Sequence, residues 1–401
     1  TSAGKLTLGG TSAYAGKLSL FAGSTLELAS AGALNGSSLA GNLAFLGNGT
    51  LRYAAAPDAT SDASAVLATI VPGSTLTIDT GAFAVGFAQP LRSTRTGDLD
   101  AGFVYDDTAT VVKSGTGALT LGLLDGPTGK FAGTFQLDQG ALVLTDSFTP
   151  TTPFKSLVIG GDSTLRFDGT SLDVSGVLAP ITAGKTLTID LPNTGVTFAA
   201  GLKGAGSIVK TGNFELTVAG ASTLTSASSV TVNAGSLKLV AAGTLGAATL
   251  VVDGGSFVNS TLEDLANPIQ FGATAGFSGG GKQNTGAVTL LANSTVTFDG
   301  TTTLAGAISG AKSLTIAGLS NAQVTLSGTN TYTGGTTING TTVIAGSLDA
   351  FGAGAIAVNS GATLDLGDFT LANAITLTGG RIQASYSSPA PGTLTTAQLT
   401  A

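Results

Sequence analysis

The chain has 401 residues, of which 42% are hydrophobic and only 10% charged, with 60 glycines and a formal net charge of −7. It contains no His, Cys, Met or Trp. That excludes disulfides, thiol nucleophiles, imidazole bases and the usual zinc and haem ligand sets. Its 16 basic residues are scattered, which argues against nucleic acid as a partner and against an anionic membrane surface.

The N-terminal TSAGKLTLGG has neither a basic n-region nor an apolar h-region, and no apolar run approaches the roughly 20 residues of a membrane helix. A first residue of Thr rather than Met makes a processed or excised segment the expectation. From there the pattern is short alternation: LTL at Leu6, LSL at Leu18, LEL at Leu26, LTID at Leu76, LTL at Leu119, LRF at Leu165 and LTID at Leu187. Period-2 runs predict strands with one buried face, and nothing sustains a helical period.

The strands come in pairs around a Gly/Asn/Asp/Ser turn, as in KLSLFAGSTLEL from Lys17, SLVIGGDSTLRF from Ser156, SVTVNAGSLKLV from Ser229 and AIAVNSGATLDL from Ala355. Pairs recur after roughly 20–25 residues, a period of stacked repeats. A sandwich of hairpins could use the same pairs, but a solenoid explains why a third, more irregular strand fills each period. The expected fold is therefore all-β, a single elongated β-solenoid over residues 1–385. About 18 coils stacked at ~4.8 Å would make a rod about 85 Å long. Insertions are expected near 86–110 and 259–285, with a Pro-containing tail, 386–401, holding an extra or donor strand.

A longer unit appears in VVKSGTGALTLGLLDGPTGKFAGTFQLDQGALVL, Val111 to Leu144, where Lys113, Gly115 and Gly117 sit between two strands. The plan returns in SLTIAGLSNAQVTLSGTNTYTGGTTINGTTVIAG, Ser313 to Gly346, framed by Leu326, Tyr332, Gly334, Gly335, Ile338 and Gly340. A looser copy starts at Ile208, with Lys210 in the lysine position. This unit resembles the autotransporter-associated β-strand repeat of secreted bacterial passenger regions. The resemblance implies a right-handed parallel β-helix outside the cell or on its surface. No run of ~10-residue barrel strands with aromatic girdles accompanies it, so the likeness is to the passenger without the translocator.

Three functions fit such a fold. A non-catalytic extracellular scaffold would be displayed on a surface or joined end to end in a fibre by self-association of open solenoid ends. An adhesin passenger would bind a surface glycan or receptor through its insertions. A polysaccharide lyase or hydrolase would need paired carboxylates or a Ca²⁺ cluster on one coil face. The turn-bound Asp138, Asp162, Asp168, Asp190, Asp253, Asp299 and Asp365 read instead as turn residues bonding their own backbone.

The densest charge cluster is LRSTRTGDLDAGFVYDD, Leu91 to Asp107. As a site, Asp98, Asp100, Asp106 and Asp107 would offer oxygen ligands to Ca²⁺, while Arg92, Arg95 and Tyr105 would grip a carboxylated sugar or receptor. As structure, it is an insertion whose charges pair with one another or with water, and that reading is preferred because the known calcium-loop patterns are missing. The segment from Asn259, with Glu263 and Asp264, reads as a second insertion with a short helix or corner rather than a ligand loop. GGGKQN at Gly279 lacks P-loop spacing, so no nucleotide or other cofactor is expected. Asn35, Asn48, Asn293 and Asn339 head glycosylation-type triplets, but asparagine in this setting mostly serves turns.

Overall fold

A computed structural model describes residues 4–10, 16–34, 43–58, 62–96, 104–122, 125–126, 129–145, 154–241, 243–318, 321–385 and 399–400. The protein is an all-β parallel solenoid, and among the described residues the only helical element is a 3-10 turn at Ala63–Ala65. No helix is long and apolar enough to cross a membrane among these residues. The chain divides into two compact units: Thr1–Phe198 with Lys203–Ser207, and Ala199–Leu202 with Ile208–Ala401.

In the first unit one parallel sheet runs through Lys5–Leu8, Ser24–Leu28, Gly49–Tyr53, Thr75–Asp79, Thr110–Ser114, Thr134–Leu137 and Ser156–Ile159. A second contains Val85–Phe87, Ala118–Leu121, Gly140–Thr145, Ser163–Asp168 and Thr186–Asp190. Alternation puts every second side chain inside, and parallel register stacks like positions. The ladder Leu26, Leu51, Ile78, Lys113, Leu137, Ile159 follows. All six are buried, and one of them is a lysine. Each aliphatic member contributes about 1.5–3 kcal/mol by leaving water.

The second unit has three parallel faces. One includes Ser229–Val232, Thr249–Val252, Ile269–Phe271 and Val288–Leu290. The next includes Ser236–Ala241, Ser256–Thr261, Thr274–Ser278, Ser294–Phe298, Leu314–Gly318, Thr336–Asn339, Ile356–Asn359 and Ile375–Thr378. The third contains Gln283–Asn284, Thr301–Leu304, Gln323–Leu326, Thr342–Ala345, Thr363–Asp365 and Arg381–Gln383. Partners recur about 20 residues later, so one coil is one repeat. Phe257, Phe277 and Phe298 stack in register, with ring centroids 5.5 and 6.1 Å apart, and Phe271 meets Phe277 edge-on at 5.7 Å.

One expectation is corrected here. The segment 259–285 does not leave the solenoid. Ile269–Phe271 pairs with the strands on either side of it, and so does Thr274–Ser278, while Gln283–Asn284 opens the third face. At TLEDLA the corner is found rather than the short helix: a strand ends at Thr261 and a corner follows. Its short apolar runs are simply masked by the glycines between them.

The repeat framework falls at the core and the corners. Leu326, Tyr332 and Ile338 are fully buried, and the Tyr332 hydroxyl shares a 2.6 Å hydrogen bond with Thr336. Gly335 and Gly340 have φ of +84° and +61°, and a Cβ on Gly334 would stand 2.4 Å from the Lys312 carbonyl carbon.

Candidate functional site

Lys113 and Lys210 close apolar strands at the last inward position, and the parity of VVK and IVK sends both side chains into the core. Both are completely buried. Lys113 Nζ donates to the carbonyls of Ser114 (2.8 Å), Gly115 (2.8 Å) and Gln139 (3.0 Å), the last from the following coil. Lys210 repeats the arrangement on Thr211 (2.6 Å), Gly212 (2.8 Å) and Ala234 (3.2 Å). Gly115 supplies the turn at φ +80°, and a Cβ on Gly117 would lie 1.9 Å from the Phe83 carbonyl oxygen. The lysine-led glycine motif is thus a corner in which an ammonium gathers carbonyls from two coils. Burial lowers the Lys113 pKa from 10.5 to about 8, with Asp79 opposing the shift.

The carboxylates of the corners reach farther than expected. Asp162 accepts from Thr186 N–H (2.8 Å) and Asp253 from Ala273 N–H (3.1 Å), each on the next coil. Asn48 and Asn293 do the same for Thr75 (2.8 Å) and Ser313 (3.2 Å). Asp365 serves its own turn at Gly367 (3.0 Å) but also the next coil at Ser385 (2.8 Å). The own-backbone reading of these aspartates is therefore only partly right: coil-to-coil bonding is invisible in a linear sequence.

The charged stretch 91–107 does contain an excursion. Arg95–Thr96 pairs antiparallel with Val104–Tyr105, against the parallel grain of the stack. Asp98 and Asp100 lie outside the described residues. Asp106 bonds the Thr108 amide (3.1 Å) and hydroxyl (2.7 Å), while Asp107 pairs with Lys155 at 2.8 Å, which holds its pKa down. Arg92 donates to the Leu67 carbonyl. Tyr105 lies under Lys130, whose Nζ is 5.6 Å from the ring centroid. Arg95 is exposed at the start of the excursion. Asp106 and Asp107 are thus committed to separate partners, and no group of three metal-type ligands occurs among the described residues.

Among the described residues, carboxylate pairs line clefts in both units. One in the first unit, about 360 Å³, is lined by Asp58 and Asp62. Asp62 is already occupied by Ser64 N–H and hydroxyl and by Ala88 N–H. The other, in the second unit, is about 450 Å³ and is lined by Glu263, Asp264 and Asn267. The sequence singled out Glu263 and Asp264 but missed Asn267, whose only signal was an asparagine at an inward position. No family model, curated protein or solved structure matches the chain. The likeness to the autotransporter-associated repeat rests on its lysine- and glycine-led motif alone.

Proposed function

We propose that the chain is a non-catalytic structural scaffold of the passenger type, carried outside a bacterial cell or on its surface. What supports this most is how its unusual polar groups are spent. The buried ammoniums of Lys113 and Lys210 and the corner carboxylates of Asp162 and Asp253 bind backbone of the next coil rather than converge on a substrate position. Chemistry of this kind joins coils. A screen of neutral and acidic polysaccharides with added Ca²⁺ tests the reading: no product is expected, and sustained release of reducing or unsaturated ends would overturn it.

The same coil-on-coil chemistry supports assembly of copies with one another. Lys5–Leu8 stacks on Ser24–Leu28 in parallel register, the geometry that strand addition between copies would extend. Light scattering across a concentration series should show growth by association, and a constant monomer mass would remove this part.

A second reading, adhesion, is favoured by the antiparallel excursion, which presents Val104 at 69% exposure beside Tyr105. Binding of immobilised protein to a glycan array should fall in Val104→Asp and in Tyr105→Ala with unchanged melting. Undiminished binding would take the site away from this strand pair.

A further inference from the structure

Two excursions leave the stack of the first unit on successive coils, and they touch each other. Arg95–Thr96 pairs antiparallel with Val104–Tyr105, and one coil later Asp125–Gly126 pairs antiparallel with Gly129–Lys130. Ser93 joins the two: its N–H donates to the Lys130 carbonyl (2.9 Å), and its Oγ accepts from Ala132 N–H (3.0 Å). Gly129 holds φ at +121°, which strains any other residue, and a Cβ there would stand 3.6 Å from Tyr105 Cε1 and 3.8 Å from Tyr105 Oη and Arg92 Cγ. The glycine lets the Tyr105 ring settle against the second strand pair.

Arg95 stands directly opposite Tyr105 in the antiparallel register, and residues so placed project from the same side of a strand pair. Lys130 reaches the same phenol from the second pair, with Nζ 5.6 Å from the ring centroid. Arg95 is exposed, while Tyr105 and Lys130 are half-buried. The neighbouring charges are committed elsewhere: Asp106 to Thr108, Asp107 to Lys155 at 2.8 Å, and Arg92 to the Leu67 carbonyl. Among the described residues no carboxylate lies within ion-pair distance of Lys130.

We propose that Arg95, Tyr105 and Lys130 bind the carboxylate of a uronate unit in an acidic polysaccharide, the two cations on its oxygens and the phenol as a neutral donor beside them. Such a ligand gives the adhesion reading its chemical class, and this assignment rests on that reading. In a chain of net charge −7 most of the surface repels a polyanion, so one can attach only where cations gather. Guanidinium and ammonium both form charge-assisted bonds to carboxylate oxygens. The phenol adds a hydroxyl donor and an aromatic flank for the C–H face of a sugar ring. An acidic polypeptide carries its carboxylates on flexible stems and has no ring to lay on that flank. Arg92, grouped with Arg95 and Tyr105 in the sequence, gives up this role to Lys130 of the next coil.

The test measures binding of the full chain at low salt to oligogalacturonate, its methyl ester, maltohexaose and poly-glutamate. The free acid should bind saturably and lose affinity as salt rises, and the ester, with the same ring and no charge, should bind about tenfold or more weakly. Lys130→Gln should weaken the acid severalfold, and Tyr105→Phe, which removes only the hydroxyl, by a smaller factor. Lys238→Gln, the same loss of charge in the second unit, should bind as the parent does, with all three variants melting at the parent temperature. The ester comparison uses the parent alone and so decides the matter even where a variant misfolds. A uronate ligand is ruled out if the ester matches the acid, if Lys238→Gln costs as much as Lys130→Gln, or if poly-glutamate binds more tightly than oligogalacturonate. Binding of maltohexaose alone would leave adhesion standing and sink the uronate, whereas binding of no glycan would remove both.

Discussion

The outward faces of the two units solve one problem in opposite ways. Parallel, in-register stacking sets each position above its counterpart, so any charge risks meeting its like. The first unit uses charges and alternates their sign: Lys5 pairs with Glu27 at 2.7 Å, Glu27 with Arg52 at 3.8 Å, and Arg52 with Asp79 at 3.6 Å. The second unit removes charge from a comparable row. There Thr274, Thr295, Thr315 and Thr337 stack in register, and beyond Ala357 the row resumes at Thr376 and Thr400. A charged ladder specifies register by matching, whereas a threonine ladder tolerates any neighbour and leans on the core for register.

The interiors share one device and differ in another: Lys113 in the first unit and Lys210 in the second each interrupt an apolar ladder, and the second unit adds the in-register stack of Phe257, Phe277 and Phe298. Phe277→Ala should therefore have the largest effect, about 3–5 kcal/mol, because it opens a cavity against Phe257, Phe271 and Phe298. The urea midpoint reads it. Lys113→Met should follow, costing about 1–3 kcal/mol by leaving carbonyls of two coils without their donor.

That variant also has a pH signature. Below pH 8 folded and unfolded chains both hold the Lys113 proton. Between about 8 and 10.5 the unfolded chain holds more of it, so stability rises with pH through that window. Melting curves across it should show the rise in the parent and its loss in Lys113→Met.

Smaller effects sharpen the contrast between the outer rows. Glu27→Lys would place three cations in sequence along the ladder, lowering the melting temperature at low salt and recovering toward the parent at high salt. Lys5 holds the Glu27 pKa below its usual 4.5, so the pairing is present above that pH and is lost as acid protonates the carboxylate. Thr315→Val, in the neutral row, should stay within about 0.5 kcal/mol and show no salt dependence.

Much of this was legible in the sequence. Alternation located the strands, and the repeat period pointed to coils rather than hairpins. Strand parity was enough to turn Lys113 and Lys210 inward, although their three-carbonyl seats depend on a neighbouring coil. What escaped was whatever one coil does to the next. Asp162 and Asp253 looked like residues of their own turns, and 259–285 looked like an insertion because Gly272, Gly276 and Gly279 break its alternation. The cleft was hidden for the same reason: Glu263 and Asp264 stood out as charges, but Asn267 became a partner only when its amide was tied to Gly246 and Ala248.

The register Ile316↔Ile338, with Ala317↔Asn339 beside it, carries a consequence for descent. Excising residues 317–338 would join Ile316 directly to Asn339, which already occupies the place Ala317 had. Every inward side chain would stay inward. Loss of one residue more would turn the following strand inside out. Length changes in such a chain are thus expected in whole coils, each gained or lost at little cost, whereas a single residue inserted or deleted within a strand would expose the core face.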